Sequence, residues 1–387
     1  MTTCLITCPH CHAPIRPDDR TCPRCHALQP SRESFAPGVT IERGPMRLVL
    51  DKRIGEGGMG VVWRAWVFHA PGTPLAGKVE PAALKVLRPQ AMALPGAREL
   101  FLREAEALRR LSHPNVVAYN GLFEHEGALV LSMEYVEGEM LETTVARQCA
   151  RAELAGGGLP CMPFQRAWYY FQQLLGALAA VHAMGIVHRD VKPSNVLVGL
   201  DGLVKLGDFG VARFVGAPSS PATAEFAPGT GAYMSPEQVR SLPLDGRSDL
   251  YSAAIVLYRM LSGRTPFSAE RGEFLVRQDQ VESPPPPIRD FVPQAPPVLD
   301  SLFARALAKN PDQRFNDAID LGEAFRAALG LPDTAVWRAQ ADIARTANTL
   351  ADPRARQPED VAAEDRKLGT LRDLVTRAYK TQRMASA

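Results

Sequence analysis

Residues 188–195 read His188-Arg189-Asp190-Val191-Lys192-Pro193-Ser194-Asn195, and thirteen residues after this asparagine the chain reads Asp208-Phe209-Gly210. Two acids, an amide and a lysine at this spacing suit phosphoryl transfer from a metal-bound nucleotide. That reaction needs the phosphates, the metal ions and the accepting hydroxyl held in line rather than activated by covalent chemistry. Asp190 would orient the hydroxyl, while Asn195 and Asp208 would hold the metal. The competing interpretation is a set of turn residues that closes a β-hairpin.

Composition limits the fold class and the partners of this chain. Its 387 residues are too many for one ordinary core and predict two or three units. The formal net charge of +2, from 44 basic and 42 acidic residues, predicts no nucleic-acid partner. The longest apolar stretch, at residues 250–261, is too short for a membrane span, and no secretory signal is visible, so we expect a cytoplasmic protein. The seven cysteines are then expected as metal ligands or free thiols rather than disulfides.

Two CxxC pairs near the amino terminus, Cys8 with Cys11 and Cys22 with Cys25, are separated by ten residues. Each pair presents two thiolates from one tight turn, and two pairs complete the closed tetrahedral set of a structural zinc site. The segment has few apolar side chains, so Zn²⁺ would supply its folding free energy, on the order of 10 kcal/mol. We predict a zinc ribbon over residues 1–30. A thioredoxin-like redox pair and a cluster of reactive thiols are the alternatives.

A stretch rich in proline, serine and glycine follows and predicts a linker over residues 31–45. A strand is then expected over residues 48–54, before a glycine-rich turn at residues 55–60 and a second strand from Val61. A GxGxxG turn alone also occurs in dinucleotide-binding folds, but there a helix follows it. The β-branched and aromatic residues after Gly60 favour a hairpin lid whose backbone amides cover phosphates.

A lysine lies at the centre of the third predicted strand, over residues 82–87. Downstream, Glu104 falls three residues after Phe101 on an apolar stripe at helical spacing, so it points inward. An unpaired glutamate on such a stripe costs on the order of several kcal/mol. We therefore predict an ion pair between Lys85 and Glu104; the alternative leaves both side chains in solvent.

At these motifs the chain resembles the eukaryotic-like (Hanks-type) Ser/Thr protein kinases of bacteria. The resemblance runs in order along about 280 residues and takes in several further motifs: Gly229-Thr230, the segment YMSPE at residues 233–237, Asp249, Gly263 with Pro266-Phe267, and Arg314. It implies an α+β fold with a β-rich N-lobe and a helical C-lobe over residues 46–330. The ribbon would precede this domain, and a helical or partly disordered tail would follow it over residues 331–387.

The resemblance also implies a role for each site residue. Asp190 would be the catalytic base, Lys192 would reach the γ-phosphate and the acceptor, and Lys85 would contact the α and β phosphates with Glu104 fixing it. Asn195 and Asp208 would hold Mg²⁺ or Mn²⁺. The ATP pocket would comprise the glycine-rich loop, the gatekeeper, the hinge and neighbouring strand residues, namely Gly55, Glu56, Gly57, Gly58, Met59, Gly60, Val62, Ala83, Lys85, Met133, Glu134, Val136 and Leu197. His188 is expected as a core histidine, and Glu237 with Arg314 as a buried structural ion pair.

Regulation is implied by Arg189, since an arginine before the catalytic aspartate commonly binds a phosphate on the activation segment. That segment carries three candidate phosphosites, Ser219, Ser220 and Thr223. We expect autophosphorylation there, Thr223 first, and Thr230 would shape the site beside the accepting hydroxyl. Autophosphorylation in trans would require a homodimer. A kinase that is active without a loop phosphate is the alternative.

Four features depart from the family pattern or lie outside it. The connection between residues 67 and 82 is long and predicts an extended hairpin, and Ser235 stands where an alanine is usual. A glycine-rich insertion carrying Cys149 and Cys161 is interpreted as a loop. In the tail, two apolar stripes predict helices docked on the kinase or on a partner, while a charged disordered tail is the alternative.

The sequence as a whole predicts an ATP- and Mg²⁺-dependent Ser/Thr kinase that acts on proteins in cytoplasmic signalling, with a protein partner for the ribbon or the tail. A pseudokinase scaffold is the first alternative, and the complete set of catalytic residues argues against it. A small-molecule kinase of similar fold is the second. The segment over residues 229–237, suited to peptide acceptors, argues against that one.

Overall fold

The computed structural model describes residues 6–7, 11, 13–15, 21–26, 35–56, 60–87, 96–154, 160–209, 213–214, 230–268, 272–334 and 337–339. Elements are numbered over these residues. The chain divides into two compact units, the first formed by residues 1–109 and 118–135 and the second by residues 110–117 and 136–387. At the amino terminus, the short strands β1 (Ile6–Thr7) and β2 (Pro14–Ile15) pair antiparallel.

A six-stranded antiparallel sheet forms most of the first unit. Its strands are β3 (Thr40–Arg43), β4 (Met46–Glu56), β5 (Gly60–His69), β6 (Val79–Leu87), β7 (Tyr119–His125) and β8 (Ala128–Glu134), in the spatial order β3-β4-β5-β6-β8-β7. Trp63, Ala65 and Val67 are buried and alternate with half-buried neighbours along β5, as a strand with one core face requires. This alternation defines the core face of the sheet.

Part of the segment predicted as a linker, residues 31–45, is a strand of the sheet. Strand β3 lies inside it and pairs with β4 along four residues, from Thr40 opposite Val49 to Arg43 opposite Met46. Phe35 packs against the sheet core, and its ring meets that of His125 edge to face at 5.6 Å. Only Ile41 of the four strand residues is buried, so the sequence shows no alternating pattern there.

The long connection after β5 forms the extended hairpin that the sequence predicts. Strands β5 and β6 pair from Gly60 opposite Leu87 to Phe68 opposite Val79. A side chain at Gly60 would place its Cβ 2.3 Å from the carbonyl oxygen of Val86, so this close approach requires glycine. Helix α1 (Ala97–Arg110) follows, with Phe101 and Glu104 both buried.

The second unit is helical. Its helices are α2 (Leu141–Leu154), α3 (Phe164–Ala183), α4 (Pro236–Val239), α5 (Gly246–Ser262), α6 (Glu273–Glu282), α7 (Val298–Ala306) and α8 (Ala318–Ala328). The short strands are β9 (Gly138–Met140), β10 (Ile186–Val187), β11 (Val196–Gly199), β12 (Val204–Leu206) and β13 (Arg213–Phe214). Helices α3 and α5 are buried along most of their length and form the centre of this unit.

Two cysteines of the second unit correct the predictions made for them. Cys149 lies within helix α2 rather than in a loop, and it forms a disulfide with Cys161. The Cα atoms are 4.3 Å apart across twelve residues of sequence, and the Cys161 amide donates to the carbonyl of Leu261 at 2.7 Å. The expectation that all seven cysteines serve as metal ligands or free thiols is therefore wrong for this pair.

The beginning of the tail packs on the second unit. Residues 337–339 are helical, and Trp337 is fully buried, with its ring 5.1 Å from that of Trp168 in α3. Its indole N–H donates to Glu323 in α8. Of the first predicted stripe only Ala339 lies among the described residues, and the second stripe lies wholly outside them. Among the helices that the structure describes, none combines the length and apolar character needed to cross a bilayer.

Candidate active site

The loop between β10 and β11 brings three of the predicted catalytic residues together. Asp190 Oδ2 accepts hydrogen bonds from Asn195 Nδ2 at 2.8 Å and from Lys192 Nζ at 2.9 Å. Asn195 Nδ2 also donates to the backbone oxygen of Asp190 at 2.8 Å. The other carboxylate oxygen, Oδ1, is buried and has no hydrogen-bond partner among the described residues. One oxygen of Asp190 is thus fixed, and among the described residues the other is an acceptor without a donor.

Asp249 in helix α5 holds this loop through its backbone. Its buried carboxylate accepts the amide protons of His188 and Arg189, each at 2.8 Å, and lies 2.7 Å from His182 Nε2. Burial raises the pKa of Asp249, but hydrogen bonds from His182 and Arg189 and the charges of the histidines outweigh it, so the net pKa is lowered. Asp249 remains a carboxylate that anchors the catalytic loop.

Asp249 is identified in the sequence as one of the family motifs, but its role is not predicted there. The signal that could have found the role is a single acid inside a helix that is otherwise buried and apolar, since such an acid needs several donors. His188 is a core histidine, as expected. It is fully buried, and its Nε2 lies 3.0 Å from the carbonyl oxygen of Gly207.

The two residues predicted to hold the metal lie on neighbouring segments. Strands β11 and β12 pair antiparallel, and the Gly207 amide donates to the Asn195 carbonyl at 3.0 Å, which brings Asp208 beside Asn195. Because the Asn195 amide nitrogen is hydrogen-bonded to Asp190, its amide oxygen is the group left to face a cation. Asp208 is exposed and has a positive φ of 56°. A carboxylate and an amide oxygen are the hard ligands that Mg²⁺ and Mn²⁺ prefer.

The predicted ion pair is present in the first unit. Lys85 Nζ lies 2.8 Å from both carboxylate oxygens of Glu104, and the side chains are 12% and 1% exposed. The pair lies beside other residues of the predicted ATP pocket, because Val62 is the cross-strand partner of Lys85 and Ala83 that of Met133. Cross-strand partners share a face of the sheet. This face is opposite to the core face that carries Trp63 and Ala65.

The remaining residues of the predicted ATP pocket belong to both compact units. In the first unit, Gly55, Glu56 and Gly60 border the turn between β4 and β5, and Glu134 ends β8. In the second unit, Val136 precedes β9, and Leu197 in β11 pairs with Met140. Gly57, Gly58 and Met59 lie outside the described residues, as do the phosphosite candidates Ser219, Ser220 and Thr223.

The end of the activation segment is tied to the catalytic loop. Thr230 begins a 3₁₀ turn that runs to Tyr233, and Ser235 caps helix α4. In this cap Ser235 Oγ accepts from the Gln238 amide at 3.3 Å, and Gln238 Nε2 donates to the Arg189 carbonyl at 2.7 Å. The serine that departs from the family pattern is therefore a helix N-cap, a position that serine favours.

The expected structural ion pair between Glu237 and Arg314 is also present. Both carboxylate oxygens accept from the guanidinium at 2.7 Å, and Ser248 Oγ donates to Glu237 at 2.6 Å. Burial raises the pKa of Glu237, whereas the hydrogen bonds and charge of Arg314 lower it more, so the group stays ionised. The pair fixes helix α4 after the activation segment.

The amino-terminal cysteines form a second candidate site. The sulfur atoms of Cys11, Cys22 and Cys25 all lie within 4.8 Å of one another, and those of Cys11 and Cys22 are 3.6 Å apart. Thiolates at zinc bond lengths of about 2.3 Å in a tetrahedron are separated by just under 4 Å. The three sulfurs therefore fit a Zn²⁺ site. Cys8, the predicted fourth ligand, lies outside the described residues.

A carboxylate with one oxygen fixed, beside the amide of Asn195 and the carboxylate of Asp208, has the groups that phosphoryl transfer needs. Comparison with known proteins makes the class specific, because residues 48–323 match the protein kinase domain family and residues 7–28 match the zinc-ribbon domain family. The chain belongs to the protein kinase family and carries a zinc ribbon at its amino terminus.

Named relatives and solved structures agree with this assignment. The chain is 37% identical over 308 residues to the serine/threonine-protein kinase pkn3 of Myxococcus xanthus, covering 77% of this chain and 52% of that protein. It is 35% identical over 285 residues to PknJ of Mycobacterium tuberculosis, covering 72% and 45%. The crystal structure of the M. tuberculosis PknI kinase domain superposes with a TM-score of 0.56 at 28% identity, covering 77% and 100%. The chain thus spans about half the length of these two curated relatives.

Proposed function

We propose that this chain is a serine/threonine protein kinase that transfers the γ-phosphate of ATP to hydroxyl groups of protein substrates. The observation that carries the proposal is the Asp190 carboxylate, with one oxygen bonded to Lys192 and Asn195 and the other buried without a partner among the described residues. Family membership and the names of the curated relatives support it. Lys192, two residues after the aspartate, favours serine and threonine over tyrosine as acceptors.

In the proposed reaction the acceptor hydroxyl donates its hydrogen bond to Asp190 Oδ1. As the hydroxyl oxygen bonds to the γ-phosphorus and the bond to the leaving oxygen of ADP breaks, the proton passes to Asp190. Lys192 contributes positive charge close to this carboxylate and to the transferred group. Bound Mg²⁺, or Mn²⁺, would neutralise charge on the phosphate oxygens, with Asn195 and Asp208 as its protein ligands.

The nucleotide would be held by the predicted pocket. Lys85 would contact the α and β phosphates, and its position is set by Glu104, whose carboxylate is 1% exposed. The backbone of residues 55–60 would cover the phosphates, and Val62, Ala83 and Met133 share one face of the sheet where the adenine would lie. By the family resemblance, Glu134, Val136 and Leu197 would also contact the nucleotide.

The function is tested with the purified full chain, γ-labelled ATP, Mg²⁺ and dephosphorylated casein. Asp190→Asn is expected to reduce transfer by about 10²–10⁴, the typical loss when a general base is removed. Asp290→Asn is the matched control, because Asp290 is exposed and ends a 3₁₀ turn remote in sequence from the catalytic loop. It should retain the wild-type rate. Equal transfer by wild type and Asp190→Asn would refute the assignment.

We further propose that the kinase phosphorylates its own activation segment in trans, through a homodimer, at Ser219, Ser220 or Thr223. The phosphate would bind Arg189, whose backbone is already held by Asp249 and Gln238. The triple alanine variant should lose label from the segment and lose activity toward casein. A triple variant as active as wild type would contradict the hypothesis, and Ser301→Ala, at an exposed position in α7, controls for nonspecific loss.

The ribbon is proposed to bind one structural Zn²⁺ through Cys8, Cys11, Cys22 and Cys25. Metal analysis of the full chain should find one zinc per chain, lost in Cys22→Ser and retained in Cys149→Ser. Wild-type protein without zinc, or with zinc in both variants, would disprove the ligand set. A role in cytoplasmic signalling, with the ribbon or the tail binding a protein partner, completes the proposal.

A further inference from the structure

The segment that follows Thr230 is held by side chains from two helices. We name residues 231–233 the acceptor segment. Gln280 Nε2 donates to the carbonyl oxygen of Ala232 at 2.8 Å and reaches that of Gly231 at 3.5 Å. Ser252 Oγ donates to the carbonyl oxygen of Tyr233 at 2.7 Å. Residues 231–233 are buried within the 3₁₀ turn, so their carbonyls need partners inside the protein, and the side chains of Gln280 and Ser252 supply them.

Gln280 itself is fully buried and its amide can adopt only one orientation. Its Oε1 accepts from the Tyr251 hydroxyl at 2.6 Å, while its nitrogen faces the acceptor segment. Burial raises the pKa of Tyr251, so this hydroxyl keeps its proton and remains a donor. Turning the amide over would place its oxygen against the carbonyl oxygens of the acceptor segment, and the bonds to that segment would be lost.

Helix α6 is built to present this amide. Val276 and Gln280 are its two buried residues, one turn apart, and the second of them is polar. Lys309 Nζ binds the carbonyl oxygens of Gln280 at 2.9 Å and Asp279 at 3.2 Å, which anchors the last turn of the helix. The first turn lies against the acceptor segment, because a Cβ on Gly231 would be 3.4 Å from Glu273 Cγ.

A buried amide costs free energy unless all its groups are bonded, and an apolar residue of equal size would pack as well. The polar side chain of Gln280 is therefore explained by the hydrogen bonds that it makes. We propose that Gln280 is a positioning residue that sets the backbone of the acceptor segment, and so governs binding of the protein substrate rather than of ATP. This inference rests on the proposed kinase function and on the family resemblance, by which Thr230 would shape the site beside the accepting hydroxyl and residues 229–237 would suit peptide acceptors.

The test compares Gln280→Met with wild type in the full chain. Methionine keeps the length of the side chain and removes its hydrogen bonds. Gln278→Met is the matched control, because Gln278 lies on the exposed face of the same helix. With Mg²⁺–ATP and dephosphorylated casein, Gln280→Met should raise the KM for casein about tenfold, and Gln278→Met should leave it unchanged. The KM for ATP and the rate of ATP hydrolysis without casein should stay within twofold in both variants.

Measuring the KM for casein and the KM for ATP separately distinguishes a positioning role of Gln280 from a general loss of stability. A variant that is merely less stable would lose active enzyme and lower both rates without changing either KM. If Gln280→Met does not fold, Tyr251→Phe keeps the ring and removes the hydroxyl that orients the amide, and it should raise the KM for casein by a smaller factor. An unchanged KM for casein, or an equal rise for ATP, overturns the inference while leaving the kinase function intact. If the wild type transfers no more phosphate than Asp190→Asn, both the inference and the proposed kinase function are overturned.

Discussion

Trp337 lies beyond the residues that match the kinase family, yet the structure makes it part of the folded second unit. Replacing a buried tryptophan with alanine costs about 3–5 kcal/mol of unfolding free energy. The edge-to-face contact with Trp168, with ring centroids 5.1 Å apart, accounts for about 0.5–1.5 kcal/mol of that loss. For a unit of this size each kcal/mol shifts Tm by about 2–4 °C, so Trp337→Ala should lower Tm by about 6–20 °C.

The contact with Gly322 allows a sharper test. A Cβ at Gly322 would lie 2.3 Å from the Trp337 ring, so Gly322→Ala should cost about 1–3 kcal/mol in the wild-type background. In the Trp337→Ala background the nearest remaining atom is Leu175 Cδ1, at 3.0 Å, and a small shift of that side chain lets alanine stabilise helix α8 by up to about 1 kcal/mol through its higher helix propensity. The substitution at Gly322 therefore changes sign between the two backgrounds, which a double-mutant cycle measures directly.

The assay is urea and thermal denaturation of the full chain, followed by far-ultraviolet circular dichroism. Phe274→Ala is the matched aromatic control, because Phe274 is 78% exposed and its loss should stay within about 0.5 kcal/mol. The reasoning fails if Trp337→Ala and Phe274→Ala are equally stable, or if Gly322→Ala costs the same in both backgrounds. Either result would mean that the tail does not pack on α3 and α8.

Three further predictions concern single groups of the second unit. Burial lowers the pKa of Lys309 to about 8 from 10.5, so between these pH values the unfolded chain binds more protons and the unfolding free energy rises with pH. Lys309→Met should abolish that rise in urea denaturation at pH 8 and pH 9. Asp249→Asn puts an amide donor where one carboxylate oxygen accepts from the His188 amide. Each buried donor left unsatisfied costs about 1–3 kcal/mol, so the catalytic loop loses its anchor and casein phosphorylation should fall about tenfold or more. Reducing the disulfide between Cys149 and Cys161, which closes a short loop, should lower the unfolding free energy by about 3 kcal/mol, and the Cys149→Ser variant should show no such response to a phosphine reductant.

The sequence was sufficient where a residue's environment is set by its own helix or strand. Glu104 was predicted to point inward because its neighbours at helical spacing are apolar, and Lys85 was the nearby strand cation, so their pairing could be inferred. Asp190 and Asn195 are five residues apart, and a short loop keeps them in contact.

Residues whose partners are distant backbone groups could not be predicted in the same way. Asp249 accepts amides 60 and 61 residues away, and Gln280 donates to carbonyls 48 and 49 residues away. These partners cannot be recognised from the residues that surround Asp249 or Gln280 in the sequence. The disulfide could not be predicted for a related reason: composition indicates reduced cysteines, whereas the fold brings Cys149 of α2 and Cys161, which precedes α3, to a Cα separation of 4.3 Å.

The short strand β3 determines where a usable kinase fragment of this chain must begin. A fragment that starts at Met46, where the sequence alone places the domain, would lack β3 and leave the eleven-residue β4 as an unprotected edge of the sheet. Its unpaired amides and carbonyls would offer a template for pairing with a second chain, and long edge strands are sites of aggregation. The same cut would remove Phe35, which covers part of the sheet core. Aggregation of such a fragment would therefore reflect a lost edge strand rather than an unstable catalytic unit, and a start before Phe35 should yield soluble protein.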